Sequence, residues 1–142
     1  ITFYGTGETD ESDLQSLGDG AIGLVTAYHY SGAHDSALNK KFVAKLKELH
    51  PDSVTNLASV GAYDGVHMIY EMVKAGGTDM LKGFEAVKAL EWESPRGPVK
   101  MDPKTSSIIQ NVYLRKVERD PATKLLINKE IESLGMFPDI GQ

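Results

Sequence analysis

Ala21-Ile22-Gly23-Leu24-Val25-Thr26-Ala27-Tyr28 is the longest nearly apolar run in the chain, and its reading decides the fold. From Ile22 to Tyr28 the run is apolar on both faces, as a parallel strand covered by helices requires. It is far shorter than the ~20 residues a membrane-spanning helix needs. Upstream, Ile1-Thr2-Phe3-Tyr4 is β-prone and ends at Gly5-Thr6-Gly7. Thr9 can then cap a short helix with acidic residues in its first turn, which Gly18-Asp19-Gly20 breaks. The first unit therefore reads as strand, glycine loop, helix, strand, which is α/β organisation.

Downstream the period changes. Tyr28-His29-Tyr30-Ser31-Gly32-Ala33-His34-Asp35-Ser36 is an irregular aromatic and polar loop at a strand end, where α/β proteins place binding groups. Phe42, Val43, Leu46 and Leu49 form one helix face that Pro51 stops. Tyr63, Val66, His67, Tyr70 and Val73 predict a second helix from about Val60 to Ala75, with Tyr63 and His67 as core positions. Met80, Leu81, Phe84, Val87 and Leu90 predict a third helix, capped by Thr78 and running to about Glu91. Three amphipathic helices in succession must cover apolar surface. Ser94-Pro95-Arg96-Gly97-Pro98 is the strongest break, and Val99 to Met101 is at most a short strand. A strand from Ser107 to Val117 is expected to pair with Leu125 to Ile131 across the Asp120-Pro121 turn.

Composition narrows the function. The chain has 142 residues, 15 Lys+Arg against 20 Asp+Glu, a net charge of -5 and a sequence pI near 5.3. This balance argues against nucleic acid and anionic membranes as partners, since both are drawn by clustered Lys and Arg. With no Cys there is no disulfide, no thiol nucleophile and no thiolate metal site. No signal peptide is expected in the chain, because Ile1-Thr2-Phe3-Tyr4 supplies neither a basic n-region nor an apolar h-region.

The chemistry-bearing residues cluster in two loops. Gly5-Thr6-Gly7-Glu8 lacks the third glycine of a dinucleotide fingerprint, with Asp10 in that place, and its acidic loop repels pyrophosphate. Thr6 and Glu8 can instead point into a cleft where Glu8 holds an ammonium group. The alternative is a tight turn whose Glu8 is a solvated helix-start carboxylate. His29, His34 and Asp35 match no defensible metal spacing, so no metal and no cofactor are expected. Tyr28, His29 and Tyr30 can form an aromatic wall for a small ligand. Asp10/Glu11 and Glu91/Glu93 read as helix-terminal or solvated charges. GxSxG is absent, and no catalytic residue is assigned.

Five segments carry a family resemblance. These are Gly5-Thr6-Gly7-Glu8, Gly18 to Ser31, Ala62-Tyr63-Asp64-Gly65-Val66, Glu93-Ser94-Pro95-Arg96-Gly97-Pro98-Val99 and Gln110-Asn111-Val112-Tyr113-Leu114-Arg115. Together they resemble the C-terminal part of type I solute-binding proteins, the branched-chain amino acid receptors of ABC transporters, which include the Leu/Ile/Val-binding protein. The resemblance implies a type I periplasmic-binding-protein fold of two Rossmann-like lobes, with parallel sheets flanked by helices. It implies residues 1–27 at the end of the second lobe, 28–104 in the first lobe with hinge crossings at both ends, and 105–142 returning to the second. It further implies a non-enzymatic protein at the periplasmic or extracellular surface, delivering an amino acid, amide or aromatic acid to ABC permease subunits by lobe closure. Thr6, Glu8, Tyr28, His29, Ala58, Ser59 and Tyr63 would be its ligand-binding residues, with Thr6 aligned nearest the carboxylate that some relatives offer to a ligand ammonium. A ligand-sensing regulatory domain on the same scaffold is the alternative, and a small hydrolase using His29 or His34 a further one. Exposed half-cores predict self-association.

Overall fold

The computed structural model describes residues 4–7 and 9–138. Ile1 to Phe3 of the first expected strand, and Glu8, lie outside the described residues. The element order is β1 (Tyr4–Gly5), α1 (Glu11–Leu17), β2 (Val25–Tyr28), α2 (Ala37–Leu49), α3 (Leu57–Gly76), α4 (Met80–Val87), β3 (Glu91–Ser94), β4 (Gly97–Met101), β5 (Ile108–Arg119) and β6 (Leu126–Phe137). No described helix is long and apolar enough to cross a membrane.

The α/β class holds, and the strand–loop–helix–strand unit closes as a parallel β1–β2 pair, Tyr4 opposite Val25 and Gly5 opposite Thr26. The other pairings among the described residues are antiparallel. β5 is the axis of the sheet. Its first residues pair with β4, Met101 opposite Ile108, and its later ones with β2, Thr26 opposite Arg115. Gln110 faces Val99 on one side and Phe137 on the other, while Arg115 faces Thr26 and Glu130. Hence β4 and β2 lie along the same edge of β5, and β6 runs along the opposite edge.

Local chemistry explains where the elements begin. The cap of α1 is Asp10, whose carboxylate accepts from the Ser12 amide at 2.9 Å, rather than Thr9. Asp79 displaces Thr78 in the same way for α4. In both cases the residue one place on has the extended backbone and the stronger acceptor. α4 stops at Val87 rather than near Glu91, because Glu91–Ser94 enters a hairpin opposite Gly97–Lys100. The turn requires Gly97, at φ 94, where an added Cβ would lie 2.6 Å from the Tyr113 hydroxyl.

Leu14, Ala21, Val117 and Leu126 form a small core under α1, with Leu24 against it. α3 is held differently. Asp64 is buried and accepts from Trp92 Nε1 at 2.9 Å, Ser94 Oγ at 3.0 Å and Arg96 Nε at 2.8 Å. Arg96 also reaches Gln110 Oε1 at 2.5 Å, and its carbonyl accepts from the Tyr113 hydroxyl at 2.8 Å. This buried ion pair ties α3 to the β3–β4 hairpin and to β5. Of the stripe expected to be core, His67 packs on Trp92 of that hairpin, whereas Val66, Ile69, Tyr70 and Val73 are exposed, with Tyr63 only partly covered.

Candidate functional site

The loop between β1 and α1 is shaped by its neighbours. Thr6 is exposed, and its carbonyl accepts from the Thr9 amide at 3.2 Å and the Thr9 hydroxyl at 2.7 Å. Gly7 is buried because Tyr28 lies on it. A Cβ there would stand 2.3 to 2.8 Å from three atoms of the Tyr28 ring, so only glycine lets loop and ring meet.

Tyr28 stands at the end of β2, its ring tilted 37° against that of His29 with centroids 4.0 Å apart, and with the Arg115 guanidinium 5.6 Å from it. Burial lowers the His29 pKa to about 4, and the nearby Arg96 and Arg115 charges add to the shift. The imidazole is therefore neutral at pH 7, offering one donor and one acceptor beside an aromatic face. Tyr30, the third expected wall residue, is buried instead, and its hydroxyl donates to Asn39 Oδ1 at 3.0 Å.

The other expected residues are on α3. Asn56 caps it, and Ser59 completes a capping box, its hydroxyl accepting from the Asn56 amide at 2.9 Å and donating to the Asn56 carbonyl at 2.8 Å. Ala58 is exposed in that first turn. Tyr63, one turn on, meets Phe42 edge to face at 5.3 Å. Ser59 and Tyr63 line a groove of about 570 Å³ with Phe42, Ala62 and Tyr70. His67, on the same groove, packs on Trp92 at 5.5 Å. The structure thus gathers the expected residues into two groups, Thr6 with Tyr28 and His29, and Ala58 with Ser59 and Tyr63. A separate cavity of about 390 Å³ lies between α2, the loop at Ser53–Thr55 and the β5–β6 turn, and none of the expected residues line it.

Sequence reasoning missed a buried polar knot beside the first group. Asp10 and Glu11 are helix-terminal, as the cap and first residue of α1, and they are buried rather than solvated. Glu11 Oε1 accepts from Ser31 Oγ at 3.0 Å and from the Gly32 and Asn128 amides, each at 3.3 Å. Arg115 is fully buried, donating from Nε to Thr26 Oγ1 at 3.0 Å and from Nη1 to the Tyr30 carbonyl. Asn128 joins both halves, accepting from Thr26 Oγ1 at 3.0 Å and donating to the Thr9 carbonyl at 2.8 Å. Desolvation raises the Glu11 pKa against the pull of Arg115, and desolvation lowers that of Arg115. Nearby, His34 Nδ1 lies 2.9 Å from the Glu130 carboxylate. No group of three or more His, Cys, Asp or Glu among the described residues is arranged to hold a metal.

These elements match known proteins closely. A solute-binding protein of an ABC transporter from Rhodopseudomonas palustris HaA2, in complex with p-hydroxybenzoic acid, superposes with TM-score 0.90 at 41% identity over 99% of this chain. One from R. palustris in complex with 4-hydroxybenzoate gives 0.89 at 43% identity over 99% of the chain, and this chain spans 39% of each of these two proteins. The Leu/Ile/Val-binding protein homolog 6 of Brucella abortus is 45% identical over 99% of the chain, which spans 37% of that relative's length. The family model described as periplasmic binding protein matches residues 1–122, and the chain belongs to that family.

Proposed function

We propose that the chain is part of an extracytoplasmic receptor that binds a small aromatic carboxylic acid and delivers it to the permease of an ABC transporter. The observation that carries this reading is the match over 99% of the chain, at 41% and 43% identity, to two solute-binding proteins that hold hydroxybenzoates. The local chemistry agrees with it. Tyr28 and a neutral His29, their rings tilted by 37°, offer aromatic surface with a hydrogen-bonding edge, and Phe42 with Tyr63, packed edge to face, offer a second aromatic surface. In this reading residues 1–27 and 105–142 belong to one lobe and 28–104 to the other. Thr6 and Glu8 would contact the solute from the first of these lobes, Tyr28 and His29 from the hinge strand's end beside the cleft, and Ala58 and Ser59, with Tyr63 nearby, from the other lobe. Closure follows from ligand contacts that favour the closed state, and no bond is made or broken. A branched-chain amino acid is the second reading, favoured by the name of the Brucella relatives.

Calorimetric titration of the chain with 4-hydroxybenzoate, leucine and a short amide tests the reading. Heat is expected with the benzoate, and Tyr28→Ala is expected to weaken its affinity at least tenfold. Heat with leucine alone would move the assignment to amino acids, and heat with none would overturn it.

A further inference from the structure

The cavity of about 390 Å³ between α2 and the β5–β6 turn shares no lining residue with the groove at Ser59 and Tyr63. Its walls are largely aliphatic. α2 supplies Val43 and Leu46, the loop after it Val54, and the far side Leu125 and Ile127. Side-chain hydrogen bonds fix both sides. Asn39 holds the start of α2, donating to the Gly32 carbonyl at 3.0 Å and the His34 carbonyl at 2.9 Å. Gln15 of α1 holds the start of β6, donating to the Leu126 carbonyl at 2.7 Å and accepting from the Leu126 amide at 3.2 Å. The space between them is therefore built into the fold. Glu11 also lines it, and half of the Glu11 carboxyl is unused. Oε1 accepts from Ser31, Gly32 and Asn128, whereas Oε2 is buried with no hydrogen-bond partner among the described residues. Leaving a buried polar atom unpaired is costly, so such an atom on a cavity wall calls for a partner from outside the chain.

We propose that this cavity is a second small-molecule site, separate from the aromatic-acid site, and that it takes a small uncharged alcohol with a branched or cyclic aliphatic body whose hydroxyl bonds to Glu11 Oε2. Its volume falls within the roughly 300–1,000 Å³ of small-molecule sites, and apolar walls with a few fixed polar groups are the usual make-up of such sites. Charge selects a neutral occupant. An anion meets Glu11 and Asp120, and the Asp120 carboxylate is already taken by the Ala122 and Thr123 amides. A cation meets Lys47 on the wall, and the nearby charge of Arg115 already balances Glu11. A hydroxyl suits Oε2 in either protonation state, donating to the carboxylate or accepting from the acid. Burial, which pulls the Glu11 pKa up, therefore leaves the class of ligand unchanged. The same charges turn away an aromatic carboxylate, so the two sites answer to different molecules.

Cyclohexanol is the probe, titrated into the isotope-labelled chain and followed by NMR. Saturable shifts are expected at Val43, Leu46 and Ile127, with NOEs from the ring protons to their methyl groups and a shift of the Glu11 carboxyl carbon. Val43→Phe and Ala33→Leu each enlarge a wall residue and should weaken the affinity at least tenfold. Lys104→Glu, in the exposed turn before β5, should leave it unchanged. Circular dichroism equal to wild type shows that the variants fold. In the wild-type chain, cyclohexanecarboxylate and cyclohexylammonium should each bind at least tenfold more weakly than the alcohol. Equal affinity for either ion, saturation without movement of the Glu11 carboxyl, or binding that survives both folded wall variants would overturn the proposal. So would shifts that grow linearly and spread to exposed residues such as Val66 and Tyr70. Saturating 4-hydroxybenzoate should not change the cyclohexanol affinity, and competition between the two would also overturn it. Loss of benzoate binding with cyclohexanol binding intact would count against the proposed function alone.

Discussion

Asp64→Ala should be among the most damaging single substitutions in the chain. Its carboxylate takes hydrogen bonds from Trp92, Ser94 and Arg96, and its side chain and that of Arg96 are 1% and 6% exposed. Removing one partner of such a buried pair leaves the other charge without compensation, which costs about 3–5 kcal/mol. A domain is stable by about 5–15 kcal/mol in all. At roughly 3–4 °C per kcal/mol for a chain of this size, the melting midpoint should fall by roughly 10–20 °C. Trp92 is the single tryptophan and donates directly to Asp64, so its fluorescence during urea unfolding reports both the transition and the contact. Arg96→Met alone should cost a similar amount. The pair Asp64→Ala/Arg96→Met should be less damaging than the sum of the two singles by about 2 kcal/mol or more, because no unpaired charge remains. Additive single effects, or a loss under about 1 kcal/mol for Asp64→Ala, would refute the reasoning.

Three other outcomes follow from the geometry. His29 has a folded pKa near 4 against 6.5 for the free side chain, so its contribution is fully present above pH 6.5 and is lost as pH falls through 4. The unfolding free energy from urea titrations should drop between pH 7 and pH 4 by up to about 3 kcal/mol more in wild type than in His29→Gln, and an NMR titration placing His29 near 6.5 would contradict this. Gly7→Ala drives a methyl group into the Tyr28 ring and should cost about 1–3 kcal/mol, as overpacking does, while weakening hydroxybenzoate binding through a displaced ring. Calorimetry and thermal denaturation check both. Gly97→Ala combines a φ of 94 with a clash at the Tyr113 hydroxyl, and should lower the melting midpoint more than Gly20→Ala, where nothing lies within 4 Å of the added Cβ.

Periodicity located the helices well because each carries an apolar stripe, whether or not the chain itself covers it. α2 and α3 occupy Ala37–Leu49 and Leu57–Gly76, within a few residues of their expected spans. It could not say that the α3 stripe faces outward, since a period reports which residues share a side and not what lies opposite. The caps at Asp10 and Asp79 rather than Thr9 and Thr78 turn on backbone angles one residue apart, which propensity does not resolve. β3 went unread because Glu91-Trp92-Glu93-Ser94 has charges where a strand usually shows apolar residues, and only its pairing with Gly97–Lys100 makes it one.

For the site, the contrast is between aromatic and ionic residues. Tyr28, His29 and Tyr63 stand out in the sequence as aromatic groups at strand and helix ends. Glu11, Arg115 and Asn128 do not, because the residues they bond lie as far as 119 positions away along the chain. Even so, Asp64, Arg96, Gln110, Tyr113 and Arg115 all fall within the segments that carry the family resemblance. What those segments share is a set of buried polar bonds that hold the frame, and such bonds are legible only once the strands are paired.

The central claim, a solute site formed by the β1–α1 loop, the end of β2 and the start of α3, is tested most directly by amide chemical shifts of the labelled chain during titration with 4-hydroxybenzoate. Saturable shifts are predicted at Thr6, Tyr28, His29, Ala58, Ser59 and Tyr63, and they should disappear in Tyr28→Ala. Shifts confined to the separate cavity near Val43, Leu46 and Ile127, or no saturable shift at any amide, would contradict the account.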